Sequence, residues 1–204
     1  DRLLNELKKI SKTEILEKLS KDKSSLEIIK LIFPELKNFS IFSKLSYKQK
    51  DVLDKSDFIF LLSLMIIDMT DNVDYFLYKF NISKKDQKRI KNIDSFYKEK
   101  INSKSFSENM LNKILYFQGK QAVIDILNFK IISSKKSDNF FIELCNLYSK
   151  KEIPILPVGA DILMTKYKIP RGKQLGAKLK TIEEEWVKNN FQITDQQINS
   201  IVNS

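Results

Sequence analysis

Apolar positions along this chain recur every three, four and seven residues, and this spacing repeats across most of its length. Leu3, Leu7 and Ile10 fall on one face, as do Val123, Ile126, Leu127 and Ile131, and Leu175, Leu179, Ile182 and Trp186. This periodicity predicts helices. Four Gly and four Pro in 204 residues leave little turn chemistry for a sheet, and no Asn-Gly hairpin signal occurs. The expected class is all-α, an irregular multi-helix bundle with a small C-terminal helical subdomain.

Breakers and capping residues set the expected boundaries. Ser11 separates a first helix from a short second one over 12–20, and Pro34 with Lys37, Asn38 and Ser40 marks a loop. Asp57 is expected to cap a buried apolar helix reaching Met69, and Asp71 or Asn72 to start another toward Phe80. Ser83 then caps a basic helix to about Ile101, and Ser105 or Ser107 opens the next, which Gly119 interrupts. Further helices are expected over 120–132 and from Asp138 to Lys150. Pro154 and Pro157 stop the pattern, because each forbids a continuing helix. Three regions follow: 1–20, 21–152 and 153–204. Asp161 is read as the cap of a short helix in the last region. The chain opens on Asp1, directly in a helical pattern and without an initiator Met, which reads as a piece of a longer protein.

With 42% hydrophobic and 30% charged side chains the chain can bury a core, and its longest apolar run, 58–67, is about half of what spans a bilayer. No signal-peptide layout precedes it, so the expectation is a cytoplasmic protein without membrane contact. Zero His removes the commonest general base and a common metal ligand. Cys145, the one cysteine, lies in the run Phe140, Phe141, Leu144, Tyr148 and reads as an inert core thiol. No phosphate loop, nucleophile elbow or metal motif occurs. The close carboxylate pairs Asp51/Asp54 and Asp68/Asp71 read as helix-end caps, and Glu183 to Glu185 as a solvated face. No catalytic residue and no bound metal are expected in this chain.

A formal charge of +10 points to a polyanionic partner, although Lys enrichment alongside Ile and Asn also fits the coding bias of an AT-rich gene. Clustering is the stronger signal. From Asp161 to Lys180 there are six cations, Lys166, Lys168, Arg171, Lys173, Lys178 and Lys180, against one anion. Gly172 can turn the backbone into a helix there, Gln174 follows in its first turn, and Gly176 would permit close approach of a neighbour or ligand. A helix N-terminus beside Arg171 and Lys173 suits phosphate oxygens. Counted at ~100° per residue from Leu175, the apolar positions of this helix stay within about 40°, whereas Lys173 and Lys180 fall at roughly 140° to 160°. A second basic group, Lys84, Lys85, Lys88, Arg89, Lys91, Lys98, Lys100 and Lys104, is diluted by Asp86, Asp94 and Glu99. Its first four members are the candidates for tracking phosphates. The aromatic residues mostly take apolar helical positions and are read as core.

The run Gly159-Ala160-Asp161-Ile162-Leu163, followed by Gly172-Lys173-Gln174-Leu175-Gly176, Leu179 and Trp186, resembles the tail signature of class II CCA-adding enzymes, the tRNA nucleotidyltransferases of the poly(A) polymerase-like family. Asp1-Arg2-Leu3 with Glu6-Leu7 is similar to the helix that closes the family's neck, and Gly119-Lys120 with Ala122-Val123-Ile124-Asp125 to the start of a body helix. Where most members carry a Gly after the Asp-Leu-Leu run, this chain has Lys166-Tyr167.

The resemblance implies the neck end, body and tail of such an enzyme, with tRNA as partner. The head domain, which adds CMP and AMP using Mg²⁺ and ATP or CTP, would belong to absent upstream sequence of the same polypeptide. A-form RNA is recognised through phosphates and 2′-hydroxyls, which suits Lys clusters and helix N-termini. The alternatives are a helical DNA-binding module using the turn from Arg171 to Gly176, and a protein-interaction scaffold.

Overall fold

The computed structural model describes residues 2–99, 101, 103–134 and 139–203. Among these, the ordered elements are helices throughout: thirteen α-helices and two short 3-10 segments, with no strand. They are α1 (Arg2–Ile10), α2 (Thr13–Lys21), α3 (Lys23–Ile32), α4 (Tyr47–Asp54), α5 (Phe58–Ile66), α6 (Asn72–Lys79), α7 (Lys84–Lys98), α8 (Glu108–Gln118), α9 (Lys120–Ser133), α10 (Asn139–Lys150), α11 (Ala160–Lys166), α12 (Lys173–Lys188) and α13 (Asp195–Asn203). The 3-10 segments are Phe39–Lys44 and Ser103–Phe106. None of the described helices is long and apolar enough to cross a membrane.

Local capping explains several starts. The side chains of Asp22, Asp57, Ser83 and Ser107 accept from the amides of Ser25, Phe60, Asp86 and Met110, and Ser46 with Gln49 forms a reciprocal capping box on α4. Helix α3, in the stretch before Pro34, and helix α4 are both additions to the expected elements. Helix α5 ends at Ile66 rather than Met69. There the Asp68 carboxylate accepts from the Thr70 amide at 3.0 Å and its hydroxyl at 2.6 Å, and Met69 takes a positive φ of 65°. Asp138, the expected start of α10, lies outside the described residues, as do Asp1 and Lys100.

The chain forms two compact units. The first comprises Asp1–Ile101 and Gln121–Lys150. Helix α5 is apolar on all sides, and Phe60 to Ile66 are all buried, which is the pattern of a central helix. Around it the unit buries Leu7, Leu16, Phe39, Phe42, Ile90 and Ile126. Three polar contacts lock this core. The Gln49 amide donates to the carbonyls of Ile131, Ile132 and Ser134 at 2.9, 3.2 and 3.1 Å, tying α4 to the end of α9. The Tyr97 hydroxyl donates to the Ile126 carbonyl at 2.8 Å, and burial raises its pKa. The Lys79 ammonium meets the buried Glu35 at 2.7 Å.

The second unit joins Asn102–Lys120 to Lys151–Ser204. Its core is Val158, Leu163, Ile169, Leu175, Ile182 and Ile198. Helix α8 seats on α12 through Tyr116, whose hydroxyl donates to Glu183 at 2.6 Å and whose ring lies edge-on to Trp186 at 5.4 Å. The C-terminus of α12 is a Schellman turn: Phe191 N–H donates to Trp186 O at 2.8 Å and Asn190 N–H to Val187 O at 3.2 Å. Asn190 and Phe191 both take positive φ, 53° and 66°, and the Phe191 ring closes on Trp186 at 5.0 Å.

Candidate nucleic-acid interface

Within the second unit, the interface expected from sequence centres on the segment from α11 into α12. Buried Leu163 and Ile169 anchor the two sides of the turn. Lys168 takes φ 57°, which carries the chain round so that Ile169 N–H reaches Leu163 O at 3.2 Å. Gly172 then opens α12 with φ 153°, a backbone region that side-chain-bearing residues rarely adopt. The cap of α11 is Gly159 rather than Asp161, which sits within the first turn and makes no capping bond.

No side chain caps the first turn of α12. Its free amides therefore face outward with the positive end of the helix dipole. Arg171, Gly172, Lys173 and Gln174 are all exposed around it, while Leu175, Ile182 and Trp186 point into the core. Arg171, Lys173 and Lys168 form no ion pair among the described residues.

The other cations in this segment have partners. Lys178 donates to the Ile201 carbonyl at 2.8 Å, pinning α13 against α12. Lys166 pairs with Asp195 at 3.3 Å, which raises its pKa, and lies over the Tyr167 ring at 5.3 Å. Lys180 meets Glu184 at 3.8 Å, with both side chains largely exposed. Exposed pairs of this kind contribute little, so Lys166 and Lys180 can exchange them for phosphate. Lys178 is the more firmly held. Gly176 does not serve a close packing contact within the chain, since a Cβ there would meet nothing within 4 Å.

In the first unit, Lys84, Lys85 and Lys88 are exposed on α7 and unpaired among the described residues. Arg89 has a different place. Its guanidinium forks onto Asp125 at 2.6 and 2.9 Å and also reaches Asp57, the cap of α5. Burial works against its charge, but Asp125 and then Asp57 outweigh it, so its pKa is raised. Asp125 is buried and also accepts from the Gln121 amide at 3.0 Å. Arg89 is thus the interlock of α5, α7 and α9, already satisfied by two carboxylates.

The thiol of Cys145 donates to the Asn128 side chain at 3.3 Å, and burial pushes its pKa up to about 12, so no thiolate nucleophile forms near neutral pH. Asp51 pairs with Lys55 at 2.7 Å instead of capping a helix. Among the described residues, no cluster of three or more Cys, Asp or Glu side chains could hold a metal ion.

Among the described residues, five aromatics lie on the surface rather than in the core: Tyr47, Phe117 and Phe140, and on α6 Tyr75 and Tyr78, which are 60% and 90% exposed. The signal was present in the spacing, because Val73, Phe76 and Leu77 fix the inner face of α6 and place both tyrosines opposite it. No protein-family model matches the chain, and no curated protein matches it.

Proposed function

We propose that this chain grips the acceptor stem and elbow of tRNA by its sugar-phosphate backbone, as the tRNA-binding portion of a CCA-adding nucleotidyltransferase. One observation carries the reading: Arg171 and Lys173 stand exposed and without ion-pair partners beside the uncapped N-terminus of α12. Guanidinium, ammonium and helix amides together favour phosphate oxygens, and A-form RNA presents phosphates and 2′-hydroxyls rather than readable base edges. Lys168 lies three residues before Arg171 on the same exposed turn and extends the cationic line. The CCA-adding assignment rests on the tail signature from Gly159 to Trp186. In this reading nucleotide addition, with its Mg²⁺ and ATP or CTP, is the work of a head domain elsewhere in the polypeptide, and this chain alone adds no nucleotide.

The test is tRNA binding over a range of salt concentrations. The unaltered chain is expected to bind at ~micromolar Kd or weaker. Arg171→Ala with Lys173→Ala should weaken binding by about 1 kcal/mol or more, and lower the slope of log K against log salt by ~0.7–0.9 per lost phosphate contact. An unchanged slope rejects the assignment. Competition by duplex DNA at equal salt separates the DNA-binding alternative, which requires equal affinities, and a scaffold would show no salt-dependent RNA binding.

A further inference from the structure

The α6–α7 pair in the first unit carries a surface unlike the bare cationic turn of α12. On α6, Tyr75 and Tyr78 are spaced by three residues, so their rings stand one turn apart on the outward face. Residues 80–83 connect directly into α7, and the exposed ion pair of Lys91 with Asp74 at 2.9 Å marks where the two helices lie side by side. On the loop side of that pair, α6 presents Tyr78 and α7 presents Lys84 and Lys88. On the helical wheel Lys84 and Lys88 fall within about 40° of each other and opposite buried Ile90, Ile93 and Tyr97. Both lysines are exposed and form no ion pair among the described residues.

The local acids are largely spoken for. Asp74 is held by Lys91, which keeps its carboxyl below the usual range, Asp94 by Lys98 at 2.9 Å, and Asp86 accepts from the Ser83 hydroxyl at 2.7 Å. Neither tyrosine supports the fold by burial. Two exposed rings on α6 and two exposed ammonium groups on α7, the next helix along the chain, supply the two requirements for holding an unpaired strand: flat apolar faces for bases and cations for phosphates.

We propose that this face binds unpaired nucleotides, with Tyr75 and Tyr78 stacking on successive bases and Lys84 and Lys88 meeting the backbone. This goes beyond the duplex grip by α12, sharing with it only the nucleic-acid partner. Base stacking tolerates any sequence, so the surface should prefer single strands over duplexes without a marked base preference.

The experiment measures binding of the full chain to a roughly 12-nucleotide oligo(A) RNA and to an RNA duplex of the same length, by fluorescence anisotropy at fixed salt. Tyr75→Ala with Tyr78→Ala should weaken oligo(A) binding by ~10-fold or more and leave the duplex within about twofold. Tyr75→Phe with Tyr78→Phe should restore oligo(A) affinity, because the ring and not the hydroxyl is used. Both tyrosines are exposed, and an unchanged circular dichroism melt will show that the variants fold. Absence of oligo(A) binding, an affinity untouched by the Ala pair, or an equal loss in the Phe pair each overturns the proposal. Failure of the α12 reading would show separately, as tRNA affinity indifferent to Arg171→Ala and Lys173→Ala.

Discussion

Single residues in this protein divide into those whose charge is consumed by the fold and those whose charge is left outside. Arg89 belongs to the first group. Its side chain is 18% exposed and that of Asp125 only 2%, so removing the guanidinium strands a buried carboxylate. Arg89→Met should cost about 3–5 kcal/mol in urea unfolding. Arg89→Lys should recover only part of that, because an ammonium cannot fork to both Asp125 oxygens while reaching Asp57. Glycines make the complementary point. Gly176 occupies an exposed helix interior with open space around it, so Gly176→Ala should stabilise by about 0.5–1 kcal/mol, whereas Gly172→Ala should destabilise because φ 153° suits only glycine. Thermal melts of the two variants are expected to shift in opposite directions.

At the scale of elements, capping chemistry and aromatic closure hold the helices in place. Glu17 on α2 accepts from Lys21 at 2.5 Å and from Lys50 on α4 at 2.7 Å, and these contacts, Lys21 first, lower its pKa from 4.5 to about 2. A lowered carboxylate pKa stabilises the folded state above the unfolded value, and that gain fades as pH falls from 4.5 toward 2. Glu17→Gln should therefore reduce Tm near neutrality and flatten its decline across that acid window. The α12 Schellman turn offers an optical readout. Trp186, the lone tryptophan, is 2% exposed under Phe191, so Phe191→Ala should cost about 2 kcal/mol and shift its emission to longer wavelength.

These elements also show what could be read from the chain itself. The apolar run of α5 with Asp57, the basic helix after Ser83 and the separation of core and cation faces on α12 were legible, because local spacing and capping decide them. Helix α3 was not, since its exposed Ile28, Leu31 and Ile32 and buried Ile29 blur the periodic signal ahead of Pro34. The place of Arg89 was also hidden, because its partners lie 32 and 36 residues away and no local rule pairs them. For the same reason α8 reads as part of the preceding bundle, although Tyr116, Trp186 and Glu183 assign it to the C-terminal unit.

For the whole molecule, the excess of 36 cations over 26 acids matters less than where the unspent cations lie. Among the cations that stay exposed without ion pairs among the described residues, two groups are close in sequence to the proposed contact faces: Lys168, Arg171 and Lys173 in one unit, Lys84, Lys85 and Lys88 in the other. Counterion release counts only cations that meet phosphate, so the salt slope of binding measures how many of each set are engaged. On tRNA, which offers both duplex stems and an unpaired 3′ end, neutralising Arg171 with Lys173, or Lys84 with Lys88, should each lower the slope by ~0.7–0.9 per lost contact, and the combined variant should show the sum. On a short single strand only the Lys84/Lys88 pair should matter. If charge acted merely as a diffuse cloud, all double neutralisations would lower both slopes equally, wherever they were made. A control pair around the start of α4, Lys44→Ala with Lys48→Ala, makes that distinction measurable, because both are exposed and Lys48 meets Asn139 on α10 rather than either face.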